Sequence, residues 1–175
     1  MTSSPSPARA IAVAAALAGI LAAGPSPAET PPQDGAASLP LPRFVSLRAG
    51  EVNMRTGPGV QYPVEWIYQR QNLPVEIIAE HQAWRKIRDW QGAQGWVHQS
   101  MVGAKRTIIV VGEVRALRRK PEPTSPAAAR AEVGVIGRLL ACPDGLDWCR
   151  VEIGGHEGWL RREDFWGVQR GEVVE

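Results

Sequence analysis

Two tryptophan-led stretches, WRKIRDWQGAQGWV from Trp84 to Val97 and WCRVEIGGHEGWL from Trp148 to Leu160, constrain this chain more than any other feature of it. Each opens on tryptophan, carries an aliphatic residue three positions on (Ile87, Val151), crosses a glycine-bearing turn and returns as Gly-Trp-aliphatic. Side chains alternate across a strand, so the opening tryptophan and its aliphatic residue face opposite sides of a sheet, one toward a core and one away. Gly92 and Gly154-Gly155 supply the positive-φ backbone of a tight hairpin turn. Trp84 to Trp148 and Trp96 to Trp159 keep the same offset to within one residue, which marks a duplicated small β unit. Trp96 and Trp159, on the returning strands, are expected to pack in the two cores.

The rest of each unit reads as short strands with frequent turns, the pattern of a small barrel or sandwich. Val45 and Leu47, then Val52 and Met54, alternate with polar neighbours; Asn53 to Gly59 (NMRTGPG) is a turn; Val64, Trp66, Ile67 and Tyr68 form an apolar cluster. Leu73, Val75 and Ile77 lead as a strand into Trp84. Thr107 to Val111 is a continuous β-branched run, read as a buried strand opening the second unit. Leu117-Arg118 there matches Met54-Arg55, but Arg119 to Pro126 replaces the glycine turn, and the alanines between Ala127 and Ala131 suggest a turn of helix.

Ahead of the units, Arg9 precedes an apolar run from Ala10 to Ala23. The run has the length of a signal-peptide core and falls short of the ~18 residues of a membrane span. A small-x-small site at Ser26-Pro27-Ala28 places cleavage after Ala28, leaving no stable membrane anchor, and Glu29 to Pro42, rich in proline and small residues, reads as a disordered linker. The formal net charge is +2, with basic residues scattered rather than striped, so nucleic acid is not an expected partner. The runs Arg115 to Lys120 and Arg161-Arg162 read as solvated surface, with an anionic ligand as the alternative.

Two cysteines in an exported chain favour a disulfide over a metal site or a nucleophile. Cys142 and Cys149 flank the turn sequence Pro143-Asp144-Gly145-Leu146, and on paired strands they come within disulfide reach. So short a loop is worth about 2.5 kcal/mol in the loop-entropy view. The alternative, Cys142 as a nucleophile with His156 as its base, leaves Cys149 unexplained. His81, His98 and His156 have no second ligand at zinc spacing, and no serine sits in a nucleophile elbow. No metal, no cofactor and no enzymatic activity are expected.

The first unit resembles the bacterial SH3-like (SH3b) domains of exported bacterial proteins. Asn53-Met54-Arg55 with Thr56-Gly57-Pro58-Gly59 is similar to the leading motif of that family, and Trp84-x-Lys86-Ile87 with Gly95-Trp96-Val97 to its second half. The second unit keeps the latter half and departs in the former. The resemblance implies an all-β chain of two tandem SH3-like β-barrels of about five strands each, used as binding or targeting modules. Its layout is a signal peptide at 1–28, a linker at 29–42, barrel 1 at 43–104, barrel 2 with a divergent first half at 105–170 and a tail at 171–175. The proline and tyrosine of the polyproline groove of eukaryotic SH3 domains are absent from both copies, so polyproline binding is not expected.

Seven tryptophans are more than domains this small bury fully. Trp84 and Trp148 face away from Ile87 and Val151, and Trp90 lies in the hairpin turn; they serve either a ligand or the interface between the barrels. If the barrel resembles the family's, the ligand rim of barrel 1 comprises Arg55, Tyr62, Trp84, Arg85 and Trp90. Tyr62 and Trp84 then form an aromatic floor, and Arg55 and Arg85 meet a carboxylate. Barrel 2, lacking the glycine turn and a counterpart of Tyr62, binds more weakly or braces barrel 1. The expected function is an exported, periplasmic or secreted, non-catalytic binding or scaffold module for cell-wall (peptidoglycan) peptide or a periplasmic protein. The alternative is an accessory or regulatory subunit of a cell-wall hydrolase. Mass spectrometry of protein from its host is expected to find the mature amino terminus at or near Glu29; an intact Met1 form in the cytoplasm contradicts the export reading.

Overall fold

The structure, a computed structural model, describes residues 39–175; the expected signal peptide at 1–28 and most of the expected linker at 29–42 lie outside the described residues. The first barrel comprises β1 (Arg43–Leu47), β2 (Val52–Arg55), β3 (Val64–Tyr68), β4 (Pro74–His81), β5 (Trp84–Arg88), β6 (Gln94–His98) and β7 (Val102–Gly103). The second comprises β8 (Thr107–Val110), β9 (Arg115–Arg118), β10 (Ala127–Ala131), β11 (Ile136–Ala141), β12 (Trp148–Ile153), β13 (His156–Arg161) and β14 (Phe165–Trp166). The sheet orders, β3-β2-β6-β5-β4-β1-β7 and β10-β9-β13-β12-β11-β8-β14, are the same element for element. The duplication read from the tryptophans is thus a duplication of whole barrels. The stretch Ala127–Ala131 is strand β10, not a turn of helix: its pairing with β9 overrides the helical preference of alanine.

The hairpins at the centre of each barrel follow from their turns. In β12–β13 Ile153 pairs with His156 across Gly154 and Gly155, both at positive φ, the two-residue turn whose twist matches paired strands. The longer β5–β6 turn is organised by Asp89, which is buried and accepts from the backbone N–H groups of Gln91 and Ala93 at 3.0 and 2.9 Å. The buried Tyr68 hydroxyl donates to the other Asp89 oxygen at 3.0 Å and ties β3 to this turn. Burial, with Asp89 beside it, pushes the Tyr68 phenol well above its ordinary value and keeps it a donor.

The glycine of the Gly-Trp pair is imposed by strand crossing. A Cβ on Gly95 would stand 2.5 Å from Met54 Cγ and 2.9 Å from the Arg55 carbonyl oxygen. On Gly158 it would stand 2.6 Å from Leu117 Cγ and 2.7 Å from the Arg118 carbonyl oxygen. Strands β2 and β9 therefore pass directly over these positions. Gly95 and Val97 point inward, as do Gly158 and Leu160, and alternation turns Trp96 and Trp159 outward, where both are half-buried. The expectation that these two tryptophans occupy the cores is corrected: Val97 and Leu160, fully buried, hold those places.

The barrels share a joint built on β8. All four of its residues are buried. Ile108 and Val110 belong to the core of barrel 2, while Ile109 sits in the core cluster of barrel 1, against which Val111, Ile136 and Trp166 also pack. The Trp166 ring meets Phe44 of β1 edge to face at 4.7 Å. Hydrogen bonds rim the joint: Thr107 Oγ1 donates to the Asn72 carbonyl at 2.8 Å, Arg70 to the Gly134 carbonyl at 2.9 Å, and Gln169 to Glu76 at 2.9 Å. The tryptophan of the joint is accordingly Trp166. Gln169 also reaches the Pro42 carbonyl at 3.2 Å, so the end of the expected linker lies against barrel 2.

Cys142 and Cys149 form a disulfide with their Cα atoms 4.3 Å apart, as the hairpin spacing implies. Cys142 also exchanges backbone hydrogen bonds with Val174, at 2.7 and 3.1 Å, so the segment read as a tail closes onto barrel 2. Truncation at the joint removes a fully buried side chain that Ile108 and Val110 cannot replace, because they point the other way. Ile109→Ala is expected to cost about 2–5 kcal/mol and to resolve urea unfolding, followed by tryptophan fluorescence, into two transitions; one transition at the wild-type midpoint contradicts the shared joint.

Candidate functional site

The register of β2, β5 and β6 lays out the outer face of barrel 1. Trp84 lies opposite His98, Lys86 opposite Trp96, and Trp96 opposite Arg55 on the next strand. Trp84 and His98 meet edge to face at 5.6 Å. His98 Nδ1 lies 2.7 Å from the Ser100 hydroxyl, which holds the ring in place. The result is a row of aromatic and basic side chains on one surface.

Of the residues expected on the rim, the structure groups three and separates two. Arg55 stands beside Tyr62 but directs Nη1 into its own loop, donating to the Val60 and Tyr62 carbonyls at 3.2 and 2.7 Å. The Tyr62 ring lies over Gly57, where a Cβ would sit 2.4 Å from the ring, and this is why glycine occupies that turn. Trp84 reaches the same surface by way of Trp96. Arg85, by alternation, faces the other way from Trp84. Its guanidinium is taken up by Glu80 at 3.0 Å, by the Gln82 and Trp84 carbonyls at 2.8 and 3.0 Å, and by Gln99 at 2.8 Å. Trp90 lies past the far end of β5, about 15–20 Å from Trp84 at strand rise, and packs partly buried against the barrel 1 core. The single convergent rim is therefore corrected: Arg85 is bound up in the β4–β5 turn, and Trp90 covers the core.

The most exposed tryptophan of this barrel is one the sequence reading did not choose. Strand β3 is the terminal strand of its sheet, and Val64, Trp66 and Ile67 are 39%, 55% and 49% exposed. Val60 and Tyr62, in the preceding loop, are exposed as well. A run of apolar residues reads as a buried strand, and only the sheet order reveals that β3 has a neighbour on one side alone. On the matching edge of barrel 2, β10 presents alanines.

Barrel 2 repeats the outer row with more charge. Trp148 lies opposite Arg161, Arg150 opposite Trp159, and Trp159 opposite Arg118. The Arg161 guanidinium stacks over the Trp148 ring at 5.4 Å from its centroid and pairs with Glu163 at 3.0 Å. Arg118 donates to the Ser125 carbonyl at 2.9 Å, the counterpart of Arg55, while the buried Ser125 hydroxyl accepts from Lys120 N–H and does the work of the missing glycine turn. Arg115 is paired with Glu113 and Asp164 at 3.0 and 3.1 Å. Burial pushes the Asp164 carboxyl above its ordinary value, against the pull of Arg115. Two hollows flank the Trp148–Arg161 pair. The smaller, about 350 Å³, lies toward Arg118 and Pro123; the larger, about 800 Å³, runs between the disulfide loop and the segment 168–171. Among the described residues no three metal-ligating side chains gather.

Residues 48–103 and 111–167 each match the bacterial SH3 domain family. Among solved structures the chain is similar to NlpC1 and NlpC2 of Trichomonas vaginalis, each at 11% identity and a TM-score of 0.33. The similarity covers 74% and 71% of this chain and 47% and 48% of theirs, so the chain spans about half the length of the solved chains it matches. No curated protein matches the chain.

The wall formed by the last residues is held by charge. Arg106 pairs bidentately with Glu172, and Gln169 N–H donates to the same carboxylate at 2.8 Å. Burial opposes ionisation of Glu172, but the Arg106 and Gln169 hydrogen bonds and the nearby arginine charge outweigh it and hold the carboxyl below its ordinary 4.5. The folded state therefore binds this proton less readily than the unfolded one. The pair stabilises the fold above pH 4.5, and the stabilisation is lost as pH falls through the lower folded value. Glu172→Gln is expected to destabilise the protein by about 1–2 kcal/mol at pH 7 and to flatten the acid limb of its stability curve, measured by urea unfolding from pH 7 to pH 3; an unaltered acid limb contradicts the assignment.

Proposed function

The chain belongs to the bacterial SH3 domain family, in two copies, and from that membership we propose an exported, non-catalytic recognition module that holds an extended peptide against barrel 1. Bacterial SH3 domains are binding modules. The observation that carries the reading is strand β3, a sheet edge that offers an unpaired row of backbone groups beside exposed Val64, Trp66 and Ile67. An extended chain adds to such an edge through main-chain hydrogen bonds and gains specificity from pockets for alternate side chains. Trp66 supplies a large apolar contact at low entropic cost. The Tyr62–Trp96–Trp84 surface continues the site around the barrel, with Lys86 among the aromatics. Barrel 2, whose β10 edge carries alanines, contributes little to this site and braces barrel 1 through β8.

The ligand is a cell-wall stem peptide or an extended segment of a periplasmic protein. The Cys142–Cys149 disulfide is chemistry of an oxidising compartment and supports a place outside the cytoplasm. Retention on isolated cell-wall sacculi and photo-crosslinking from position 66 in the host distinguish the two ligands. Trp66→Ala is expected to weaken whichever is bound by roughly thirtyfold, the measure of an interface tryptophan, with the melting temperature nearly unchanged. Trp84→Ala is expected to weaken it less. Binding that survives both substitutions rejects barrel 1 as the recognition surface.

A further inference from the structure

Barrel 2 carries two additions that barrel 1 lacks, and together they make a concavity. The β4–β5 turn of barrel 1 needs only Gln82 and Ala83, whereas the matching β11–β12 connection runs from Cys142 to Asp147 and is clamped by the disulfide. Barrel 1 ends at β7, whereas barrel 2 continues past β14 into residues held by Glu172 and Val174. The groove of about 800 Å³ lies between these two additions, a volume suited to a small ligand. Both of its walls are anchored, one by a covalent bond and the other by an ion pair and a backbone bridge.

The lining has a definite chemistry. Leu146, Trp148 and Val168 form its apolar part. The loop contributes the carboxylates of Asp144 and Asp147, both on exposed residues. The other wall contributes Arg162 and Arg170. Arg162 Nε donates to the Leu146 carbonyl at 3.0 Å, which binds the loop to this wall, while its Nη1 is buried without an acceptor. Arg170 is exposed and makes no ion pair among the described residues. The Arg162 charge also reaches Glu172 behind this wall, and Glu163 at the rim pairs with Arg161. Among the described residues, the guanidinium left without an ion pair is thus that of Arg170, across an apolar floor from the two aspartates. Arg161 stacked on Trp148 keeps that ring in place at the edge.

We infer that this groove is a second ligand site, separate from β3, for a short peptide with a free carboxylate. The carboxylate faces Arg162 and Arg170, an apolar side chain lies over Leu146 and Trp148, and the peptide's ammonium or N–H groups face Asp144 and Asp147. Charge-assisted bonds to guanidinium are the strong polar contacts at such a site, and the apolar floor supplies the remaining burial. The site depends on the disulfide loop and the closing segment, so barrel 1 has no equivalent.

The test is a titration of the nitrogen-15-labelled full chain with the dipeptide leucylleucine, followed by the indole N–H signal of Trp148, which Trp148→Phe identifies. Saturable shifts of that signal are expected. Leucylleucine amide, which lacks the carboxylate, is expected to bind at least about tenfold more weakly, as is leucylleucine itself to Arg170→Ala. Trp66→Ala is expected to leave these shifts as they are, which separates this site from the one on β3. No saturable shift of Trp148, equal binding of acid and amide, or full binding by Arg170→Ala overturns the inference.

Discussion

One strand with two buried faces holds this protein together. In β8, Ile108 and Val110 fill barrel 2 while Ile109 fills barrel 1. Most strands in small barrels face solvent on one side, and their sequences alternate accordingly. This one cannot alternate, because both of its sides are interior, and the β-branched run from Thr107 to Val111 is the direct record of that constraint. Trp166 on β14 completes the joint by packing on Phe44, so the first strand of barrel 2 and its last both contribute to the contact with barrel 1. A chain of two independent beads would need no such strand.

Against that fixed joint, the two copies diverge in their loops and edges and agree where strands cross. Gly95 and Gly158 agree because the backbone of β2 or β9 leaves no room for a Cβ. Arg55 and Arg118 agree because each donates to a carbonyl of its own following loop. The loops they brace differ entirely: one turns on Gly57 beneath Tyr62, the other on the buried Ser125. The chemistry at the base of the loop is thus retained while the surface it presents changes.

Much of the architecture was legible in the residues for physical reasons that are local. The paired Trp-x-x-aliphatic and Gly-Trp-aliphatic patterns encode strand alternation, and the Cys142–Cys149 spacing encodes a hairpin. Less was legible where the answer depends on neighbours distant in sequence. Trp96 and Trp159 are expected inside, yet the glycine before each and the aliphatic residue after it already occupy the inward positions. Ala127–Ala131 is helical by propensity and a strand by pairing. Val64, Trp66 and Ile67 read as an apolar cluster and lie on an edge, since edge position is a property of the sheet and not of the segment. The candidate rim failed at Arg85 for a simpler reason: adjacent residues on a strand cannot share a face.

The position of the two concave or edge-like surfaces follows from the same constraints. A sheet edge invites unwanted pairing, and barrel 2 blunts its own with alanines, an exposed arginine and Pro126 just ahead of β10. Barrel 1 leaves the matching edge apolar, at a standing risk of aggregation. Tyr68 anchors the inner end of this strand through Asp89, tying β3 to the β5–β6 turn. The long loop and closing segment of barrel 2, in turn, sit on the barrel whose edge is quiet. Because β8 fills both cores, both surfaces are built around one joint.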